Sequence, residues 1–93
     1  MSGITLAVVA HIPPAGVAAF QAYEDTVLRL LGAHDGTLER RLRNVDGTLE
    51  VHVVRFASPA AFEAFRADPE RTAVADLLEQ SGAQVEATHV TDV

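Results

Sequence analysis

The stretch Ile4 to Ala10 (ITLAVVA) is apolar on both faces, with Thr5 its single hydroxyl, and is rich in β-branched residues. A strand that is apolar on both faces belongs in the middle of a sheet covered on both sides. His11 stands at its end, and Ile12-Pro13-Pro14 leads the chain out, because proline cannot donate to a ladder. The period then changes. Val17, Phe20, Val27 and Leu31, with Tyr23 and Leu28 beside them, fall at helical spacing and predict a helix over about residues 15–31, with Gly32 closing it. Ala33 to Gly36 predicts a turn.

The stretch Leu38 to Phe56 (LERRLRNVDGTLEVHVVRF) predicts two strands around Asp46-Gly47. Asp-Gly between alternating residues signals a type I′ hairpin, whose two central positions both need φ > 0. Counting back from that turn sets Arg43 opposite Glu50, Leu42 opposite Val51, Arg41 opposite His52, Arg40 opposite Val53 and Glu39 opposite Val54. Side chains alternate along a strand, so the hairpin divides into two faces. Leu38, Leu42, Leu49, Val51 and Val53, with Arg40 as the exception, form the face expected to meet the helices. Glu39, Arg41, Arg43, Glu50, His52, Val54 and Phe56 form the other, which is expected to stay open and to carry any function.

Ser58-Pro59 then reads as an N-cap and first helical residue, and Asp68-Pro69 repeats the signal, so two helical segments follow, the second running to about Ser81 before Gly82. Val85 to Val93 alternates as a last strand. The order β-α-β-β-α-β predicts an α+β, ferredoxin-like domain: a four-stranded antiparallel sheet with helices on one face. Phe20, Val27, Leu31, Leu42, Val51, Val53, Phe65, Leu77 and Leu6 are expected between helices and sheet. The face left bare is expected to close against a second copy of the chain.

Composition narrows this picture. Ninety-three residues predict a single domain over 1–93, nearly half apolar, with Met1 to Gly3 as a lead-in. There is no cysteine, so disulfides, thiolate nucleophiles and cysteine metal sites are excluded, and a cytoplasmic location is expected. A net charge of −6 disfavours nucleic acid and anionic membranes, and the run Ile4 to Ala10 is too short to cross a bilayer. No histidine spacing points to a metal, and no glycine loop or nucleophile motif is present.

A strand ending in Phe56 and Ser58, a short helix with Ala61 and Phe65, and Asp68-Pro69-Glu70-Arg71 opening the next helix resemble the dimeric α/β-barrel superfamily. That group includes antibiotic-biosynthesis monooxygenases, small polyketide cyclases, muconolactone isomerases and small domains of unknown function. The resemblance implies a homodimeric α/β barrel in which two sheets face each other and enclose a pocket for a small apolar molecule. It implies no cofactor. Cofactor-free monooxygenases of this kind often use a tryptophan and an asparagine in the pocket. This chain has no tryptophan, and its single asparagine, Asn44, stands beside the hairpin turn. Iron-ligating members use a helical histidine, and no histidine falls inside either predicted helix here.

Several side chains are candidates for chemistry. His52, mid-strand and opposite Arg41, is the expected general base, since a nearby arginine favours the neutral imidazole that can accept a proton. Arg41 is the expected anchor for an anionic substrate or enolate. His11, at the end of the first strand, is expected at a pocket mouth. Val54 and Phe56 are expected as apolar wall, with Glu50 and Tyr23 as further substrate contacts. Each has a plainer alternative: Glu50–Arg43 as a structural ion pair, Tyr23 as packing against the sheet edge, His34 as a solvated turn residue. The function expected is a cofactor-independent enzyme, monooxygenase or cyclase/isomerase, acting on an apolar, aromatic or polyketide-like molecule by removing a proton next to a carbonyl or phenol. The alternative is a non-catalytic small-molecule-binding or interaction domain of the same fold.

Overall fold

The computed structural model describes residues 3–93; the first two residues of the expected lead-in, Met1 and Ser2, lie outside it. Among the described residues the strands are β1 (Ile4–His11), β2 (Gly36–Arg43), β3 (Leu49–Phe56) and β4 (Gln84–Val90). The helices are α1 (Val17–Arg29), α2 (Pro59–Arg66), α3 (Pro69–Ala73) and α4 (Ala75–Ser81). The strands form one antiparallel sheet in the order β2-β3-β1-β4, so the most apolar strand is central. This is the ferredoxin-like α+β arrangement. No described helix is long and apolar enough to cross a membrane.

Local signals act largely as read. Ser58 Oγ accepts a hydrogen bond from the Ala61 N–H at 3.1 Å, and Asp68 Oδ1 accepts one from the Glu70 N–H at 2.8 Å, each just before a proline that opens a helix. Gly82, at φ 70°, ends α4. The first helix differs at both ends. A 3-10 turn, Pro14–Gly16, precedes it, and Gly16 lies so close to the Ser81 carbonyl that no Cβ would fit there. A second 3-10 turn, Leu31–His34, follows it and ends on Asp35 at φ 55°, so Gly32 does not close the helix.

The hairpin keeps its expected register from Arg43↔Glu50 to Arg40↔Val53 but reaches it by another turn. Asp46 does not have a positive φ; Gly47, at 79°, does. The Gly47 N–H donates to the Asn44 carbonyl at 3.3 Å, and the Asn44 N–H donates to that of Leu49 at 3.1 Å. Asp46 instead accepts from the Thr48 N–H at 3.1 Å and hydroxyl at 2.6 Å, an aspartate turn that needs no left-handed backbone. Both turns set Asn44 against Leu49, which is why the register survives. Beyond Arg40 it does not. A bulge at Glu39 makes Leu38 the partner of Val54, so Leu38 and Arg41 share a face.

The sheet presents to the helices the face opposite to the expected one. The helices cover the side of β3 that carries Glu50, His52, Val54 and Phe56, not the side with Leu49, Val51 and Val53. Phe56 pairs with Ile4, and Val54 with Leu6, on the same buried side. The aromatic rings decide it: the Phe56 ring centroid lies 5.3 Å from that of Phe62 and 5.4 Å from that of Phe65, both on α2. Opposite Phe56 stands Gly36, where a Cβ would come within 2.8 Å of the ring. Of the expected core, Leu6, Phe20, Val27, Leu31 and Phe65 are buried, whereas Leu42 is 46% exposed. Leu42, Val51 and Val53 belong to the uncovered face with Ala7 and Val9.

Candidate functional site

Turning β3 toward the helices brings its two polar residues inside. Glu50 is 0% exposed, and both of its oxygens are occupied. Arg41, from β2, donates Nε to Oε1 at 3.0 Å and Nη2 to Oε2 at 3.3 Å. Arg43 donates Nε to Oε2 at 2.8 Å. His52 places Nε2 2.8 Å from Oε1. Burial alone would raise the Glu50 pKa, but the hydrogen bonds from Arg41, His52 and Arg43 outweigh it and bring it down to about 2. Glu50 is therefore an anion, and His52 Nε2 must carry the hydrogen it presents to that anion.

That assignment leaves Nδ1 as the second nitrogen of His52, and it faces Glu24 Oε2 on α1 at 3.4 Å. Glu24 is 7% exposed. Burial, followed by the charge of Glu50, pushes its pKa up to about 7, against the opposing pull of Arg41 and Arg71. Two carboxylates thus flank one imidazole, one held ionised by guanidiniums and one poised to titrate near neutrality.

Glu24 and His52 lie on the wall of a cleft of about 460 Å³ between the sheet and the helices. Its lining is mainly apolar: Leu6, Val54 and Phe56 from the sheet, Tyr23 and Val27 from α1, and Phe62 and Phe65 from α2. That volume is within the range of about 300–1,000 Å³ typical of small-molecule sites. The cleft lies inside one chain, on the opposite side of the sheet from the pocket implied by the resemblance.

The expected site residues separate accordingly. His52, Val54, Phe56 and Tyr23 line the cleft. Glu50 and Arg41 stand behind His52 and do not line it. Arg41 directs its guanidinium to Glu50 rather than to the ring opposite, and Glu50 reaches the ring although their Cβ atoms are a strand repeat of about 7 Å apart, because its side chain is long enough to close the gap. His11 is exposed on the other face, beside a shallow depression with Pro13, Thr48 and Gln84, and does not join His52. His34 is not a solvated turn residue: its Nε2 lies 2.7 Å from Asp68 Oδ2, and that contact, first among the causes, lowers the Asp68 pKa.

Glu24 and Arg71 were not among the expected site residues, Arg71 having entered only with the helix start Asp68-Pro69-Glu70-Arg71. A signal for Glu24 was available, since it falls between Phe20 and Val27 on the apolar stripe of α1, a core position for a helix. Glu24, Glu50 and His52 also offer three ligand atoms within 4.8 Å of one another, a spacing compatible with a metal ion. The donor chemistry does not fit one. A cation would have to displace Arg41, Arg43 and the imidazole from Glu50 and take its place beside two guanidinium charges.

Solved structures share this architecture. SnoaB, a cofactor-independent oxygenase from Streptomyces nogalater, superposes with a TM-score of 0.71 at 18% identity, covering 100% of this chain and 95% of its own. A candidate antibiotic-biosynthesis monooxygenase from Bacteroides thetaiotaomicron gives 0.79 at 12% identity, over 99% and 90% of the two chains. Another, from Caulobacter crescentus, gives 0.74 at 12%, over 97% and 91%. The chain has the fold of these proteins. At such identities the likeness reaches the fold and goes no further. No family model matches the sequence, and no curated protein matches it.

Proposed function

We propose that the protein is a cofactor-independent enzyme that removes a proton next to a carbonyl or phenol of an apolar, ring-containing molecule held in the helix-side cleft. The observation that carries this reading is the Glu24–His52–Glu50 arrangement at the cleft wall. Glu50, kept anionic by Arg41 and Arg43, fixes the ring and its Nε2–H. The Glu24 carboxylate, in its ionised form, then takes the proton, with the unprotonated His52 Nδ1 beside it at 3.4 Å to accept a hydrogen bond from the carboxylic acid formed. With a pKa of about 7, Glu24 is neither locked as an acid nor too weak a base to act at neutral pH. The substrate carbanion or phenolate formed could isomerise, cyclise or react with O₂. SnoaB is named as an oxygenase of the cofactor-independent kind, and the shared fold favours that last branch by analogy alone.

The uncovered face of the sheet, with Ala7, Val9, Leu42, Val51 and Val53, supports a homodimer joined sheet to sheet. In that assembly each chain keeps its own cleft. A second reading, non-catalytic small-molecule binding, rests on the complete ion pairing of Glu50, which also suits a purely structural network.

Proton abstraction is tested with 2-tetralone in D₂O, following exchange of its α-hydrogens by NMR. Exchange faster than the buffer control, rising through pH 7 and lost in Glu24→Gln and His52→Phe, is the expected result. A tetralone that binds but exchanges no faster than in buffer removes the enzyme reading and leaves the binding one.

A further inference from the structure

Arg71 is the one cationic side chain of the cleft wall without an anionic partner among the described residues. Arg66, the other cation there, pairs with Glu63 at 3.5 Å. Asp68-Pro69 starts α3 and fixes where Arg71 emerges, two residues into the helix. Its guanidinium lies over the Phe65 ring, 5.3 Å from the centroid, and Nη1 donates to the Arg66 carbonyl at 3.4 Å. Nε is enclosed, and no acceptor of the described chain reaches it. An enclosed N–H without an acceptor is unfavourable, and more so on a charged group.

The neighbours favour an anion at this point. Burial keeps the Tyr23 phenol above its usual pKa and hence protonated, so it meets the Arg71 guanidinium as a neutral acceptor and not as an anion, and it leaves Nε without a partner. Of the two carboxylates nearby, Glu50 is already committed to Arg41 and Arg43, and Glu24, whose ionised form the charge of Arg71 favours, makes no ion pair with it. Nε and the adjacent Nη2 of an arginine form the edge that grips a carboxylate through two parallel hydrogen bonds. The rest of the cleft, with the half-buried Val8, Leu28 and Phe62, offers apolar surface.

We propose that Arg71 anchors a ligand carboxylate through its Nε edge, so that the cleft takes an aromatic or polycyclic carboxylic acid, with the rings against Phe62 and Leu28 and the acid group at α3. This rests on reading the cleft as the ligand site, and it adds what the ligand must carry. The acid group is a handle and takes no part in proton transfer. It holds the ring system at a fixed distance from Glu24 and His52.

Calorimetric binding of 2-naphthoate and of its uncharged near-isostere 2-naphthamide, at pH 7.5 with the full chain, tests it. Naphthoate should bind about tenfold more tightly or better. The preference should vanish in Arg71→Gln, persist in part in Arg71→Lys, and remain intact in Arg66→Gln. Equal affinities in the wild type overturn the proposal whether or not any variant folds. So does a preference that survives in a folded Arg71→Gln, or one lost instead in Arg66→Gln. If the amide binds with shifts at His52 and the acid binds no better, the anchor is wrong and the cleft reading stands. If neither probe binds at millimolar concentration, both are wrong.

Discussion

His52 Nε2 and Glu50 Oε1 lie 2.8 Å apart, two residues apart on one strand and both buried beneath the helices. A strand places i and i+2 on the same side, so a polar pair of this kind enters or leaves the core together. Here it has entered, and Arg41 and Arg43 from the neighbouring strand supply the counter-charge that makes burial tolerable.

Removing the charge of Glu50 should therefore be severe. Glu50→Gln leaves two guanidiniums facing a neutral amide, and a loss of roughly 3–5 kcal/mol is expected. Urea unfolding at pH 7 measures it, and an unchanged midpoint would show the network to be idle. Because the folded pKa of Glu50, about 2, lies below its unfolded value of 4.5, its contribution is complete above pH 4.5 and is lost as the pH falls toward 2.

Glu24 has the opposite sign. Its folded pKa of about 7 lies above the ordinary 4.5, so the folded chain holds more protons than the unfolded one between those values. From this group alone, stability should decline as the pH rises from about 4.5 to about 7 and then level off, by roughly 3 kcal/mol in all. Glu24→Gln should abolish that slope and be the more stable protein at pH 8. Denaturant midpoints at pH 5 and pH 8 for both proteins decide the matter; parallel pH profiles would mean that Glu24 is not the titrating group.

Phe65 is 8% exposed and packs its ring against Phe56 at 5.4 Å, with the His34 ring edge-on at 6.2 Å. Phe65→Ala should cost about 3–5 kcal/mol and open the cleft wall. A melting temperature within a degree or two of the parent would show that the α2 ring carries no core packing.

A charge placed in the bare face should separate the copies without unfolding them. Val51, directly opposite Val9 in the centre of the sheet, is the place to put it. The wild type is expected to sediment as a dimer at micromolar concentration and Val51→Lys as a folded monomer. A monomeric wild type across that range would remove the sheet-to-sheet assembly, while the intrachain cleft would stand.

Element order, the central position of the first strand, the two Ser/Asp-Pro helix starts and the hairpin register from Arg43 to Arg40 were all legible in the sequence. They depend on local chemistry: β-branched runs, caps, and residues that permit a turn. Which face of β3 lies inside was not legible, because both of its faces are apolar, Leu49-Val51-Val53 on one and Val54-Phe56 on the other, and β1 is apolar on both as well. That tie is broken only in three dimensions, where Phe62 and Phe65 on α2 need a ring beneath them and Gly36 leaves room for Phe56 to provide it. The same choice carries Glu50 and His52 inward to Glu24, and the bulge at Glu39 keeps Leu38 on the buried side while Arg41 reaches Glu50. Periodicity names the two faces of a strand; packing against the rest of the chain decides which one the helices cover, and with it where the ionisable groups meet.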